Sequence, residues 1–329
     1  MTSFKVMTWN LENLYEPGTK YGPPTVEEYQ EKLNSLAVLV TFLNPDVLAV
    51  QEVGSPEAFQ DLVNLLEGFY PHLILSMHPD PRGIRVGFLS KFTINEKEEI
   101  PDFLAAGLPQ VPGLDSQGNL DEITKMGRGA LRIQISPKPD FPIDLITAHL
   151  KSKLLTYPSP PDHPRYTPRD ENERARVAGI ALLRRTAEAV TIRVKANELL
   201  EHNAERALIV LGDMNDVPEA ATTQMLQGPS GSEIGTRGFN QPDKGDDTRL
   251  FNLAPLIPAN RRYSRIHNGN KELIDHILVS QELLPGHPRR VPGVDSYVDD
   301  NLPSVSDDPT ERRGKPGSDH SPVIATFEL

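Results

Sequence analysis

Ser318-Asp319-His320-Ser321-Pro322-Val323-Ile324-Ala325-Thr326-Phe327 sets an acid beside a histidine three residues ahead of an apolar run. The same association of an apolar strand with an acid, amide or histidine at its end recurs along the chain. Asn10 follows Phe4 to Trp9, Gln51-Glu52 follows Asp46 to Val50, and His149 follows Ile143 to Ala148. Asp213-Met214-Asn215-Asp216 follows Ala207 to Gly212, and Asp275-His276 heads Ile277 to Val279. One such residue carries little weight. Strand-terminal groups of matching chemistry, repeated six times, imply one site assembled from a whole sheet sandwich.

The elements between these strands support that reading. Thr25 with Glu28 three residues on forms a capping box, and Tyr29, Leu33, Leu36, Val40 and Leu43 recur on one helical face until Asn44-Pro45 ends the helix. Ser55-Pro56 opens a second helix, whose apolar face is Phe59, Leu62, Val63 and Leu66. Strands at 72–77, 84–90, 93–100, 130–136 and 143–148 follow with few helices between them, so much of the sheet must be antiparallel or mixed. A long helix over 171–201 carries Ile180, Leu183, Ala187, Val190 and Val194 on one stripe, with its arginines on a solvated face. After it the chain repeats its opening order of strand, carboxylate, short helix and further strands. The halves 1–150 and 205–329 thus suggest pseudo-symmetry, yet no residue-level repeat is visible, and one domain over 1–329 is expected. Pro-rich segments at 101–127, 157–169 and 285–317 are expected to be long functional loops.

Composition narrows the classes. A chain of 329 residues, 37% apolar and 24% charged, is an ordinary globular protein able to bury a large core. No apolar stretch is long enough to span a bilayer. Residue 4 already reads as strand with no charged and apolar leader before it, so a cytoplasmic location is expected. With no cysteine, disulfides and thiolate chemistry are excluded. The net charge of −12 argues against a broad basic face that coats duplex DNA. Nothing implies a protein partner, and a monomer is expected.

Glu52, Asp213 and Asp319, brought together, repel one another unless a cation lies between them. Carboxylate and amide oxygens without thiolate favour Mg²⁺ or Mn²⁺ over zinc. Such a metal polarises a phosphoryl oxygen and stabilises a departing alkoxide. A neighbouring carboxylate can orient or deprotonate the attacking water, and a histidine, His149 or His320, can carry a proton and stabilise the phosphorane. Each residue also has a plainer explanation. A lone strand-end Asp is more often a turn former or helix cap, Asn10 a turn residue, His276 a structural histidine, and Trp9 core packing. All of these must hold at once for the site to be illusory.

Thr8-Trp9-Asn10-Leu11-Glu12-Asn13, Val50-Gln51-Glu52-Val53, Thr147-Ala148-His149-Leu150-Lys151-Ser152, Leu211-Gly212-Asp213-Met214-Asn215-Asp216, Ile274-Asp275-His276-Ile277-Leu278 and Ser318-Asp319-His320-Ser321-Pro322 resemble, in order, the motifs of the endonuclease/exonuclease/phosphatase superfamily. The resemblance implies a four-layer α/β sandwich, two mixed β-sheets packed face to face with helices on the outer faces. It implies Glu52 as the principal metal ligand assisted by Asn10, with Asp319 as a further ligand. Asp213 is then the water-activating base, Asn215 a phosphate-contacting amide, and His320, supported by Asp275, the transition-state stabiliser. His149 matches the histidine of deoxyribonuclease I-like members. Phosphate-binding candidates are Asn10, Arg128, Lys151, Arg174 and Arg176, with Lys153, Arg165 and Arg169 nearby.

The expected function is divalent-metal-dependent phosphodiester hydrolysis of nucleic acid, the His149-Leu150-Lys151-Ser152 motif being similar to the bacterial nuclease-like branch. The alternatives are a phosphodiesterase or phosphomonoesterase for a small molecule or lipid headgroup, and a non-catalytic binding protein of the same fold. A lipid-acting member favours an exposed apolar hairpin, and none is evident. There is no Gly-x-Ser-x-Gly elbow, and Gly314-Lys315 is followed by proline instead of the P-loop Ser or Thr.

Overall fold

The computed structural model describes residues 3–103, 111–160, 163–201, 206–239, 241, 248–284, 293–298 and 301–329. Its first sheet runs in spatial order β15 (Gly293–Ser296), β17 (Val323–Glu328), β1 (Ser3–Leu14), β2 (Val47–Val53), β4 (Arg85–Ser90) and β3 (His72–Leu75). The second runs β11 (Leu250–Asn252), β14 (Asp275–Ser280), β10 (Ala207–Asp213), β9 (Phe141–His149), β8 (Lys125–Lys138) and β5 (Glu96–Asp102). In each sheet a single neighbouring pair is parallel among the described residues, β1 with β2 and β9 with β10. Parallel strands need a long crossover, and each pair has a helix: α1 (Val26–Leu43) for the first, α3 (Glu171–Leu200) for the second. The order β17-β1-β2-β4-β3 is therefore matched by β8-β9-β10-β14-β11, the same pairing built twice. The second unit starts at β8, well before the boundary near 205 that the sequence suggested.

The inner faces of the two sheets share one core. Phe4, Val6, Phe88 and Phe327 from the first meet Leu131, Leu145, Ile209 and Leu211 from the second. Met7, Trp9, Leu48 and Val50 face outward, beneath Leu33 and Leu36 of α1 and Phe59 of α2 (Pro56–Leu65). On the other side, Ile146, Leu208 and Val210 pack under Ile192 and Ala196 of α3 and Leu226 of α4 (Ala221–Gln227). The architecture is a four-layer α/β sandwich. Full burial of each large apolar side chain contributes about 1.5–3 kcal/mol.

Local chemistry sets the helix boundaries. The Thr25–Glu28 capping box is formed in both directions at 3.2 Å, and Asn44 in the left-handed region closes α1. The buried face of α3 differs from the stripe expected: Val177, Ala181, Arg185, Glu188, Ile192 and Ala196 point inward, while Leu183 is 48% exposed. Small residues let the helix approach the sheet, and the side chains of Arg185 and Glu188 find partners beneath it. The Pro-rich segments also hold more order than expected. A hairpin of β6 (Val111–Leu114) and β7 (Leu120–Ile123) turns through polar residues 115–119. A rim sheet joins β13 (Asn270–Glu272), β12 (Arg265–His267) and β16 (Ser304–Val305). The stretches 104–110, 161–162, 285–292 and 299–300 of those segments lie outside the described residues. No described helix is long and apolar enough to cross a membrane.

Candidate active site

Strand parity gathers the polar groups. Side chains two residues apart share a sheet face. The inward series Val6, Thr8 continues to Asn10, and Val47, Ala49 continues to Gln51. Leu145, Thr147 leads to His149, Ile209, Leu211 to Asp213, and Val279, Ile277 to Asp275. Register then sets them side by side: Asp213 pairs across with both His149 and Asp275, and Asn10 with Gln51. The site is the mouth of the slot between the sheets.

Pairing breaks just past that line. The β1–β2 register shifts between Asn10 and Leu14, and β2–β4 between Val50 and Val53. Such irregularities re-aim side chains. Glu12, Asn13, Glu52 and Asn215, with φ of 50°, 52°, 59° and 54°, are half of the eight described non-glycine residues with positive φ. Backbone in this region is costly for an L-residue and concentrates at functional sites. Glu52 is fixed through Oε2, which accepts from Asn13 N at 2.9 Å, while among the described residues Oε1 receives no hydrogen bond.

Asp213 is the hub. Its Oδ2 accepts from Asn10 Nδ2 at 2.9 Å and lies 3.3 Å from His149 Nε2 and 4.0 Å from His320 Nε2. Its Oδ1 accepts from Asn215 N at 2.9 Å. His320 arrives from the segment before β17, and its Nδ1 lies 2.7 Å from Asp275 Oδ2. Trp9 Nε1 donates to His320 O at 2.8 Å, so the indole holds the loop as well as packing in the core. Gln51 donates to Thr8 and to Thr147 at 3.1 Å each, clamping one sheet to the other.

Burial and neighbouring charge divide the titrating groups. Asp213 is raised to about 7, by burial first and then by Asp275, with His320 and Asn10 acting against. Burial works to neutralise His320, but Asp275 and then Asp319 overcome it and lift the imidazolium to about 10. His149 is pushed well below the usual histidine range by burial and by the charges of Arg128 and His320. Near neutral pH the site thus holds one cationic and one neutral histidine beside a carboxyl able to accept a proton, a division that assigns acid and base roles.

The remaining candidates are distributed unequally. Asp319 lines the cleft, its N–H on Glu12 Oε2 at 2.9 Å and its Oδ2 3.5 Å from Arg265 Nε. Arg128 and Lys153 line it too, beside Asp80 at 3.4 Å and Asp216 at 3.3 Å respectively. Asn215 donates one amide hydrogen to Leu150 O at 3.0 Å. Lys151 turns away: its ammonium donates to Ser152 O and Leu154 O at 2.9 Å each, and burial with the charge of Arg128 lowers it to about 7. Arg174 and Arg176 stand exposed on the first turns of α3 outside the cleft lining, Arg174 bound to Glu171 one turn earlier. Arg165 is held by Glu173, and the Arg169 backbone caps the same carboxylate. His276 is structural, its ring bridging Asn252 Nδ2 and Asp216 O.

Sequence reading passed over Glu12, Arg82, Arg265 and Arg312, all in the cleft lining. Glu12 had a signal, since it follows Asn10 by the two residues that keep a strand face. Both its oxygens receive Arg312 Nε, at 2.9 and 3.0 Å, and burial followed by the charge of Asp319 raises it to about 7. Arg82 and Arg312 come from loops and Arg265 from the short strand β12, all remote in sequence, and they carried none.

The donor set suits a hard divalent cation. Glu52 Oε1 and the Asp319 carboxylate open onto one cleft, and the chain has no thiolate. Donor atoms of Asp213, Asp275 and His320 also lie within 4.8 Å of one another. A 2.7 Å Nδ1–Oδ2 contact is a hydrogen bond, however, and leaves no room for an ion between Asp275 and His320.

The endonuclease/exonuclease/phosphatase family matches residues 7–320, and the chain belongs to that family, whose members are generally dependent on a divalent metal. Solved structures repeat the fold. Sphingomyelinase C from Streptomyces griseocarneus superposes with a TM-score of 0.59 at 17% identity, covering 99% of each chain. D. rerio TDP2 complexed with a single strand DNA product gives 0.55 at 16%, covering 100% of each. ANGEL2, a 2',3'-cyclic phosphatase, gives 0.57 at 14%, covering 99% of this chain and 95% of the other. No curated protein matches the chain by sequence.

Proposed function

We propose that the chain is a divalent-metal-dependent phosphodiester hydrolase acting on nucleic acid. The observation that carries this reading is the row His149–Asp213–Asp275, set in register across three strands and closed by His320 from the opposite sheet. Glu52 and Asp319 would hold the cation, and Asn10 donates to the Asp213 carboxylate. The ion, when bound, supplies Lewis-acid polarisation of the phosphoryl group. Asp213 orients and deprotonates the attacking water, which a carboxyl raised to about 7 does well near neutral pH. His320, as imidazolium, donates from Nε2 to the phosphorane or the departing oxygen. Neutral His149 and the free amide hydrogen of Asn215 donate to non-bridging oxygens without adding charge. The family and the single strand DNA product in a similar fold support nucleic acid as the substrate.

The test is a panel of single-stranded DNA, duplex DNA, RNA, an aryl phosphodiester, an aryl phosphomonoester and phospholipid, each with Mg²⁺, Mn²⁺ or chelator. Metal-dependent turnover of the nucleic acids and the diester is expected. Glu52→Gln should weaken metal affinity and recover partly at high Mn²⁺. Undiminished turnover in excess chelator, or cleavage of the monoester alone, overturns the assignment.

A further inference from the structure

We propose that a second cavity opening from the catalytic cleft is a subsite for the unpaired nucleoside adjoining the scissile phosphate, together with that nucleotide's next phosphate. The proposal rests on the phosphodiesterase reading above and names its substrate class as single-stranded nucleic acid. The cavity shares Glu12, Asn13, Arg82, Pro309 and Arg312 with the cleft, so a chain held at the catalytic row can continue into it. Its cavity volume is about 170 Å³, and it opens to solvent at its mouth.

Its walls combine two chemistries. Tyr21 and Tyr166 line it with Pro23, Pro164 and Pro309, and the Tyr21 ring has Lys20 Nζ at 5.4 Å and Arg82 Cζ at 6.0 Å from its centroid. Six cationic side chains line it against one acid, Glu12, on a protein whose net charge is −12. Glu12 is already bound by Arg312. Arg313 is held by the carbonyls of Gly22 and Thr19, which leave its charge unneutralised, and Lys20 and Lys315 have no ion-pair partner among the described residues. Aromatic faces beside cations, next to a phosphodiester site, fit a base with a flanking phosphate.

The cavity is built before any ligand arrives. The Arg313 bonds, at 2.9 and 3.1 Å, tie the 306–316 loop to the 16–24 loop. Gly314 sits so close to the Glu28 carboxylate that a Cβ would approach it to 2.9 Å. Tyr21 packs on Tyr15 with ring centroids 5.6 Å apart, and Tyr15 OH donates to Arg82 O at 3.0 Å, fixing the residue at the border of the two chambers. A base enters such a recess only when it is not paired, so duplex is excluded from it.

The experiment compares kcat/KM for a trinucleotide with that for methyl 4-nitrophenyl phosphate, a diester too small to reach the cavity. In Tyr21→Ala/Tyr166→Ala the trinucleotide-to-diester ratio should fall about 10-fold or more, the scale of base–aromatic stacking, mainly through KM. Tyr21→Phe/Tyr166→Phe, which keeps the rings, should retain the wild-type ratio. Lys20→Ala and Lys315→Ala should each make the trinucleotide salt slope shallower by about 0.7. A parallel loss on both substrates, an unchanged ratio in the alanine variant, or a duplex cut as fast as the same single strand overturns the subsite. Metal-free binding of a labelled phosphorothioate trinucleotide reads the subsite without turnover. Binding that depends on the two tyrosines, in a protein that hydrolyses nothing, keeps the subsite and removes the hydrolase reading. Hydrolysis of the small diester with tyrosine-independent binding does the reverse.

Discussion

His320 and Asp275 make the sharpest prediction at the level of single residues. The folded-state imidazolium is raised above its ordinary 6.5 to about 10, so it is charged through the neutral range and is lost only as pH climbs toward 10. Asp275→Asn removes the largest charge holding it up. The alkaline limb of the pH–kcat profile should then move to lower pH, with kcat down about 10²-fold and Mn²⁺ affinity by calorimetry little altered. An unmoved alkaline limb refutes the pairing. Asp213→Asn should lower kcat at least as far, roughly 10²-fold or more, at every pH, because the amide cannot accept the water's proton. These residues were legible in the sequence because each ends its own apolar strand, and strand ends of one sheet sandwich must meet. Arg312 was not, since its contact with Glu12 spans 300 positions, and Glu12 offered only its spacing from Asn10, in a stretch where the strand register shifts.

Elements were legible as objects but less so as surfaces. The capping box and the four-and-three spacing specified α1 and its buried face together. For α3 the span was right and the face only in part, Ala187 being buried and Leu183 exposed. Period analysis follows the large aliphatic residues, whereas this helix buries alanines with Arg185 and Glu188. Those two support the loops around the candidate site. Glu188 accepts from Gly127 N at 2.9 Å and Lys151 N at 2.6 Å, and Arg185 donates to Asp216 Oδ2 and Lys151 O at 3.0 Å each. Glu188→Ala leaves two backbone donors without a partner, a loss of roughly 2–6 kcal/mol at about 1–3 per group. A Tm several degrees lower and a reduced kcat are expected, since the loop that follows His149 loses its anchor. Leu183→Ala, on the face the sequence favoured, should change stability by less than about 0.5 kcal/mol. Equal effects in the two thermal melts contradict this orientation of α3.

Over the whole molecule, charge governs how the substrate is met. The cleft arginines and lysine face acids, Arg82 and Arg128 sharing Asp80, Lys153 beside Asp216, Arg265 beside Asp319 and Arg312 beside Glu12. Little unbalanced positive charge remains there for a long polyanion. On the rule of about 0.9 per phosphate contact, the log–log salt slope for duplex DNA should be shallow, on the order of −2 to −4. Rates at subsaturating substrate, measured against salt at fixed free metal, decide it; a steep slope on long duplex with negligible turnover of short substrates shows a binding surface of another kind.

One pairing in the first sheet also constrains how the molecule is made. β1, at Ser3–Leu14, has as its antiparallel neighbour β17, at Val323–Glu328, with Ser3 opposite Glu328. At ~5–20 residues per second of synthesis, the edge of β1 waits on the order of half a minute for that partner. Until then its amides are open to any other strand, the hazard of a long-range topology. Asn10 and His320 lie on the two segments that meet last, so the nascent chain closes its candidate site over the His149–Asp213–Asp275 row and covers that edge of β1 in the same event.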